Sequence, residues 1–199
     1  DSGWELIVDS SIDENATGTN ENGFGSSPTC GTNQENFMPW DLAAFNDRLF
    51  VGVTGEGARV LYTESGGSDD GAWEYSVGGT SAYPNGFDGY RYSDGNYQNL
   101  SVNLFAFYNS LYAGIVTQYV PEYNIPPDKK ELKGSQIWRT SNGTWLQVTD
   151  DGFNDADIII FEAFTEYNGM LYVSGSKGAS STPSGLGGAK VFRMIKPPA

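Results

Sequence analysis

Three stretches of this chain share one alternation of apolar and polar positions. They are Ala43-Ala44-Phe45-Asn46-Asp47-Arg48-Leu49-Phe50-Val51-Gly52, Phe105-Ala106-Phe107-Tyr108-Asn109-Ser110-Leu111-Tyr112-Ala113-Gly114 and Phe164-Thr165-Glu166-Tyr167-Asn168-Gly169-Met170-Leu171-Tyr172-Val173. Each is an apolar run, a short turn rich in Asn, Asp, Gly or Ser, and a second apolar run, a pattern that predicts a tight β-hairpin. The shared leucines fall at 49, 111 and 171, so the unit recurs after 62 and 60 residues. A period of this size marks an array of like supersecondary units.

Two more runs recur around each hairpin. One is Arg59-Val60-Leu61-Tyr62-Thr63, Gln136-Ile137-Trp138-Arg139-Thr140 and Lys190-Val191-Phe192-Arg193-Met194. All alternate polar with apolar positions, as a strand with one face outward does. The other is led by tryptophan: Trp4-Glu5-Leu6-Ile7-Val8, Trp73-Glu74-Tyr75-Ser76-Val77 and Trp145-Leu146-Gln147-Val148, each followed by a Gly-Phe pair at 23–24, 86–87 or 152–153. Four antiparallel strands in a unit of this length describe a β-propeller blade. The expectation is an all-β chain without notable helix. It holds three blades' worth of strands, part of a ring, with units at about 37–77, 99–148 and 158–196 and residues 4–8 as an outer strand for another blade.

Loop lengths vary where such a scaffold tolerates it. From the repeat leucine to the third strand takes 11 residues in the first copy, 26 in the second and 20 in the third. The second insertion is Pro-rich and aromatic around Tyr119 and Tyr123, and the third, Ser176 to Gly188, is nearly all Gly and Ser. Variable loops on a constant frame are where binding commonly resides.

The run Ile137-Trp138-Arg139-Thr140-Ser141-Asn142-Gly143-Thr144-Trp145 resembles the third-strand, turn and fourth-strand pattern of Asp-box (BNR-like) and kelch-like propeller repeats. Ser141, Asn142, Gly143 and Trp145 take the places of the Asp-box residues, with Asn where Asp is usual; Ser68-Asp69-Asp70-Gly71-Ala72-Trp73 is nearer in residue type. The resemblance implies architecture rather than one activity, because Asp-box propellers include sialidases, other glycoside hydrolases, lectins and adhesion modules.

The strand count is uneven. The chain opens on an outer strand, and its third unit stops after a third strand. A ring of three blades is tighter than the roughly four to eight that propellers use, and an open arc leaves strand edges that invite strand addition. Two copies closing three plus three blades, or a longer propeller, would resolve this. In the first case residues 4–8 pair with Lys190 to Met194 of a neighbouring copy as a homodimer.

Charge narrows the partners. Eleven basic against twenty-five acidic side chains give a net charge of −14, and nine acids precede the first basic residue, Arg48. Such a field disfavours nucleic acid and attracts cations, calcium included. No apolar run approaches the roughly 20 residues of a transmembrane helix. Cys30 is the only cysteine, so no internal disulfide forms. Sequons at Asn15, Asn99 and Asn142 lean toward an exported glycoprotein.

The chemistry on offer is sparse. With no histidine, Ser-His-Asp and Cys-His catalysis and the usual zinc sites are excluded. Arg59, Arg139 and Arg193 read as a repeated third-strand position and so as structural. Asp41 and Asn103, with Glu162 one residue out of register, fall on the innermost strands, where they would face a channel ligand. Asp151, Asn154, Asp155 and Asp157 offer closely spaced hard oxygen ligands of the kind Ca²⁺ prefers, without EF-hand spacing. Tyr119, Tyr123 and Trp138 are the aromatics expected to face a glycan. The leading reading is a non-catalytic extracellular binding or assembly module that recognises glycan or protein; the alternative is a glycan-processing hydrolase of the sialidase-like type.

Overall fold

A computed structural model describes residues 7, 36–55, 57–66, 72–79, 81–83, 86–87, 99–117, 134–155, 157–177 and 188–195. Its strands form consecutive antiparallel meanders. Blade 1 holds β1 (Asn36–Phe45), β2 (Arg48–Gly55), β3 (Gly57–Thr63) and β4 (Glu74–Val77), hydrogen-bonded in that order. Blade 2 holds β5 (Asn99–Phe107), β6 (Ser110–Thr117), β7 (Ile137–Thr140) and β8 (Leu146–Gln147). Blade 3 holds β9 (Ile158–Tyr167), β10 (Met170–Lys177) and β11 (Ala189–Arg193). One residue pair, Val116 with Ile160, links β6 to β9 and joins blades 2 and 3 into a seven-stranded sheet. The only helical element among the described residues is a 3-10 turn at Asp151–Phe153. This is β-propeller architecture, with part of a ring in the chain.

The turns explain why the hairpins form. Each inner hairpin closes through two residues, since Phe45 pairs with Arg48, Phe107 with Ser110 and Tyr167 with Met170. Asn46 and Asp47 lie at φ of 49° and 57°, and Asn168 and Gly169 at 51° and 70°. These left-handed values suit the twist of paired strands, and Asn, Asp and Gly reach them cheaply.

The repeat is also visible across the strands. Leu49 pairs with Thr63 and Leu111 with Thr140, while the Leu171 carbonyl accepts from the Met194 N–H at 2.9 Å. The leucine column faces the preceding blade and the next residue (Phe50, Tyr112, Tyr172) the following one, as strand alternation requires. Leu111 and Leu171 are buried; Leu49 is half-buried, because no further blade stands in front of blade 1 among the described residues. The arginine column needs correction. Arg139 and Arg193 sit opposite Tyr112 and Tyr172, but Arg59 is opposite Val53, and Tyr62 fills the matching place opposite Phe50. Arg59 lies three positions before Tyr62, an odd step along the strand, so it points to the opposite face.

Two cores lie between blades. Phe50, Val60 and Val77 of blade 1 pack with Leu104, Leu111, Ile115, Trp138 and Trp145 of blade 2. Tyr112 and Ile137 of blade 2 pack with Ile158, Phe161, Leu171 and Val173 of blade 3. The linkers seal both seams in the same way. Phe87 lies against Trp138 with centroids 5.4 Å apart, and Phe153 against Phe192, the matching third-strand residue, at 4.2 Å. Burying the Phe87 ring contributes about 2–3 kcal/mol, and the half-buried Phe153 less. A third cluster, Val51, Val53, Leu61 and Trp73, covers the other face of blade 1, and Ile7 packs on it. The rest of the expected strand at 4–8 lies outside the described residues. Blade 3 presents Val191 and Ile195, which are 74% and 88% exposed, and no strand flanks the outer edge of β11 among the described residues.

Candidate functional site

Asp41 and Asn103 occupy equivalent places on β1 and β5, opposite Gly52 and Gly114. Asp41 Oδ2 accepts from the Leu104 N–H at 2.8 Å, and Asn103 Nδ2 donates to the Phe161 carbonyl at 2.7 Å. Each thus ties its blade to the inner strand of the next. Asn103 is buried, so its amide serves the seam rather than a channel ligand. The third position belongs to Ala163, opposite Ser174, while Glu162 is exposed and stands outside the belt.

The acidic turn after β8 is spent on protein partners. Asp155 pairs with Lys177 at 2.9 Å and also with Lys190, and Asp157 reaches Lys177 at 3.5 Å. The hydrogen bonds from Lys190 and Lys177 hold the Asp155 carboxyl down from 3.8 to about 2 and, reciprocally, raise Lys177. Asp151 Oδ1 accepts from Gln136 Nε2 at 3.0 Å and from Gln147 Nε2 at 3.2 Å, while Asn154 donates to Asp150. Among the described residues no three acidic side chains converge as a metal site would require. The calcium expectation gains no ligand set here.

Trp138 is a core residue. It is 8% exposed, its Nε1 donates to Gln136 Oε1 at 2.9 Å, and Tyr83 and Phe87 lie against its ring. A strand that alternates faces sends Trp138 into the seam, so it offers no face to a sugar; Tyr119 and Tyr123 lie outside the described residues. Asn99 is likewise buried at the start of β5, whereas Asn142 is exposed in the turn after β7; Asn15 lies outside the described residues. That turn is capped by Thr140, whose Oγ1 accepts from the Gly143 N–H at 2.9 Å. Thr63 does the same for Gly66 at 3.1 Å. The counterpart of Ser141-Asn142-Gly143 in blade 1 is therefore Glu64-Ser65-Gly66; Ser68 to Gly71 lie outside the described residues.

Two concavities follow the seams. At the hairpin end, a groove of about 800 Å³ runs between blades 1 and 2, lined among others by Asn46, Arg48, Tyr62, Tyr83, Ser141 and Asn142. Arg48 donates to Glu64 at 2.6 Å and lies 4.4 Å above the Tyr62 ring. The Tyr62 hydroxyl donates to Glu74, which together with burial raises its pKa, while Glu64 raises that of Arg48. The Tyr83 hydroxyl clasps Trp145, donating to its carbonyl at 2.6 Å and accepting from its N–H at 3.2 Å. The groove thus mixes donors, acceptors and aromatic edges, with both signs of charge interspersed. Composition alone did not single out these residues. Their signal was positional: they sit on the shared end of two neighbouring repeats.

The second concavity, about 260 Å³, lies between blades 2 and 3 among Tyr112, Ile137, Arg139, Val148, Phe153 and Phe192. It is mostly apolar. Tyr112 is 1% exposed and its hydroxyl makes no hydrogen bond of normal geometry. Burial pushes the phenol up, and the nearby Arg139 guanidinium acts in the other direction.

No protein-family model matches the chain, and no curated protein matches it in sequence. Solved structures similar to it include an endo-arabinase from Bacteroides thetaiotaomicron, at 10% identity and a TM-score of 0.48, with 81% of this chain and 55% of that one covered. A thermostable family-43 glycoside hydrolase is similar at 12% identity and a TM-score of 0.47, covering 85% and 51%. A family-32 β-fructofuranosidase of Bombyx mori follows at 12% identity and a TM-score of 0.41, covering 82% and 34%. The chain therefore spans about half, or less, of the length of these structures. What its own strands define is a run of propeller blades with a polar groove at one seam and an apolar slot at the next.

Proposed function

We propose that the chain is a non-catalytic, extracellular binding module whose ligand surface is the groove between blades 1 and 2, and whose ligand is a neutral glycan. The carrying observation is the lining: Arg48, Glu64, Asn46 and Asn142 place donors and acceptors side by side around the edges of Tyr62 and Tyr83. A polyhydroxylated ligand matches alternating donors and acceptors, whereas a phosphate or a cation needs one sign of charge. The exposed Asn142 sequon supports the exported setting. Of the groove's two carboxylates, Asp47 and Glu64, the second is held by Arg48, which supports a binding role.

A glycan array followed by titration calorimetry tests this. Binding of a neutral oligosaccharide, weakened about tenfold or more in Arg48→Ala, is the expected result. No binding across the array would overturn the proposal. Release of product from chromogenic glycosides or oligosaccharides by the wild-type protein would replace it with the hydrolase reading.

A further inference from the structure

The slot between blades 2 and 3 is the repeat counterpart of the place that Trp145 fills between blades 1 and 2. Tyr112 stands for Phe50, Ile137 for Val60, Val148 for Ser76, Phe153 for Phe87 and Phe192 for Trp138. In the filled seam, the indole of Trp145 is 1% exposed and meets the Phe87 ring edge-on at 5.2 Å. It comes from the residue just before β8, the outer strand of blade 2. Blade 3 has no such strand among the described residues.

The chain carries one more run of that kind. Trp4-Glu5-Leu6-Ile7 aligns with Trp73-Glu74-Tyr75-Ser76. In blade 1, Ser76 faces forward and accepts from Trp145 of the next blade. Ile7, its counterpart, packs on the outward face of blade 1, on the cluster that holds Trp73. Trp73 is the counterpart of Trp145, so Ile7 stands where the outer strand of a preceding blade belongs.

We propose that Trp4 of a second copy fills the slot between blades 2 and 3, with residues 4–7 of that copy pairing along β11, and that the exchange is reciprocal. Two sets of three blades then close one ring through an isologous, strand-swapped contact. This goes beyond the glycan-binding reading and does not depend on it.

Three observations converge on this occupant. The first is a hydroxyl. Trp145 Nε1 donates to Ser76 Oγ at 2.9 Å, but Val148 takes the place of Ser76 in the blade 2–3 seam and cannot accept. There the acceptor is the buried Tyr112 hydroxyl, beside the Arg139 guanidinium, at the position where blade 1 has Phe50. The acceptor an indole needs is present at both seams, supplied from different strands.

The second is charge. Tyr62 pairs with Glu74 and Arg139 with Leu146, so the same register sets Glu5 opposite Arg193. A Glu–Arg pair directly across two strands is favourable. Arg193 is exposed and has no carboxylate partner among the described residues.

The third is reach. Ile7 lies outside blade 1, and the slot lies beyond both blade 1 and blade 2. With packed sheets about 10 Å apart, that separation is on the order of 20 Å or more. Three residues extend over about 10 Å. Trp4 therefore cannot enter the slot of its own chain while Ile7 keeps its place.

Light scattering on the 199-residue chain tests the proposal. The wild type is expected at twice 21.6 kDa, and Trp4→Ala should raise the dissociation constant about 100-fold or more, as loss of a buried tryptophan anchor does. A second experiment guards against misfolding of that variant. Glu5→Cys with Arg193→Cys, in a Cys30→Ser background, should give a disulfide-linked species of doubled mass under oxidising conditions. A wild type that stays at 21.6 kDa overturns the proposal and points to other chain as the occupant of the slot. So does a folded Trp4→Ala dimer of unchanged affinity, or a cross-link formed only within one chain. Glycan binding enters none of these readouts, so failure of the groove reading would be distinguishable.

Discussion

The seams between blades rest on two glycines whose loss should cost unequal amounts. Gly52 on β2 and Gly114 on β6 are repeat equivalents, and each meets the inner strand of the next blade. A Cβ at Gly52 would lie 2.5 Å from the Val102 carbonyl oxygen and 2.8 Å from its Cγ1. A Cβ at Gly114 would lie 2.6 Å from Phe164 Cε2 and 2.9 Å from Phe161 Cβ. The first obstacle is backbone, pinned where Val102 pairs with Ile115, so β5 itself must move. The nearest obstacle to Gly114 is the edge of a half-buried ring that can swing. Overpacking costs typically about 1–3 kcal/mol, offset by about 0.4–1 kcal/mol from the stiffer unfolded chain. Gly52→Ala, at the upper end of that range, should therefore lose about 2 kcal/mol and Gly114→Ala about 1 kcal/mol. Urea unfolding followed by tryptophan fluorescence reads both, and for a chain of this size each kcal/mol is worth about 2–4 °C in Tm. If Gly52→Ala is as stable as wild type, or the order is inverted, the close approach of blades 1 and 2 is wrong.

Two further substitutions probe the neighbouring contacts. Asp155→Asn removes a carboxyl whose pKa is held at about 2 by Lys190 and Lys177. Because that value is depressed, the stabilisation is present above about pH 4 and lost as pH falls toward 2. After discounting for solvent screening it is worth about 1 kcal/mol at pH 7. The wild-type and variant unfolding curves should converge between pH 4 and 2, and a gap that persists at pH 2 would contradict the ion-pair origin. Tyr83→Phe removes both hydrogen bonds of the clasp on Trp145 and should cost about 1–2 kcal/mol, measured by the same urea titration; an unchanged midpoint would mean that water replaces the hydroxyl at no cost.

The architecture was legible because it is written in repetition. Hairpins at leucine 49, 111 and 171 could be read without any contact information, since turn chemistry and strand alternation are local. The Gly-Phe pairs at 86–87 and 152–153 were visible too, and both Phe87 and Phe153 sit at positive φ beside a positive-φ glycine. Which aromatic meets a ligand was not legible. Trp138 and Tyr62 both lie on third strands, yet one is sealed in a seam and the other lines a groove. They stand on opposite faces of their strands, since Tyr62 matches Arg139, and what each face meets is set by a blade some sixty residues away in sequence. The partners of the acidic run at 150–157 were not legible for a related reason: Lys177 and Lys190, which pair with Asp155, belong to strands β10 and β11.

The same repetition lets individual side chains be read as departures from a template. Ser174 replaces the glycine of Gly52 and Gly114 in blade 3, and its hydroxyl accepts from Ala163 N–H at 3.2 Å instead of making room for another blade. Ala163 replaces Asp41 and Asn103, so blade 3 sends no side-chain bond forward from that position. These two changes relax the forward face of blade 3 together, at the closest-packed point of the other seams. A Cβ and a hydroxyl are tolerated there because nothing described presses on them, whereas at blades 1 and 2 the same atoms would collide with the next inner strand. Any blade that docks onto β10 must then sit slightly farther out than blade 2 does from blade 1. Its hold would come from the outer strands, where Val191, Arg193 and the slot behind Phe192 lie, rather than from the inner belt. A seam formed on that face would thus be built differently from the seams within the chain, with its anchoring contacts moved from the hub to the rim.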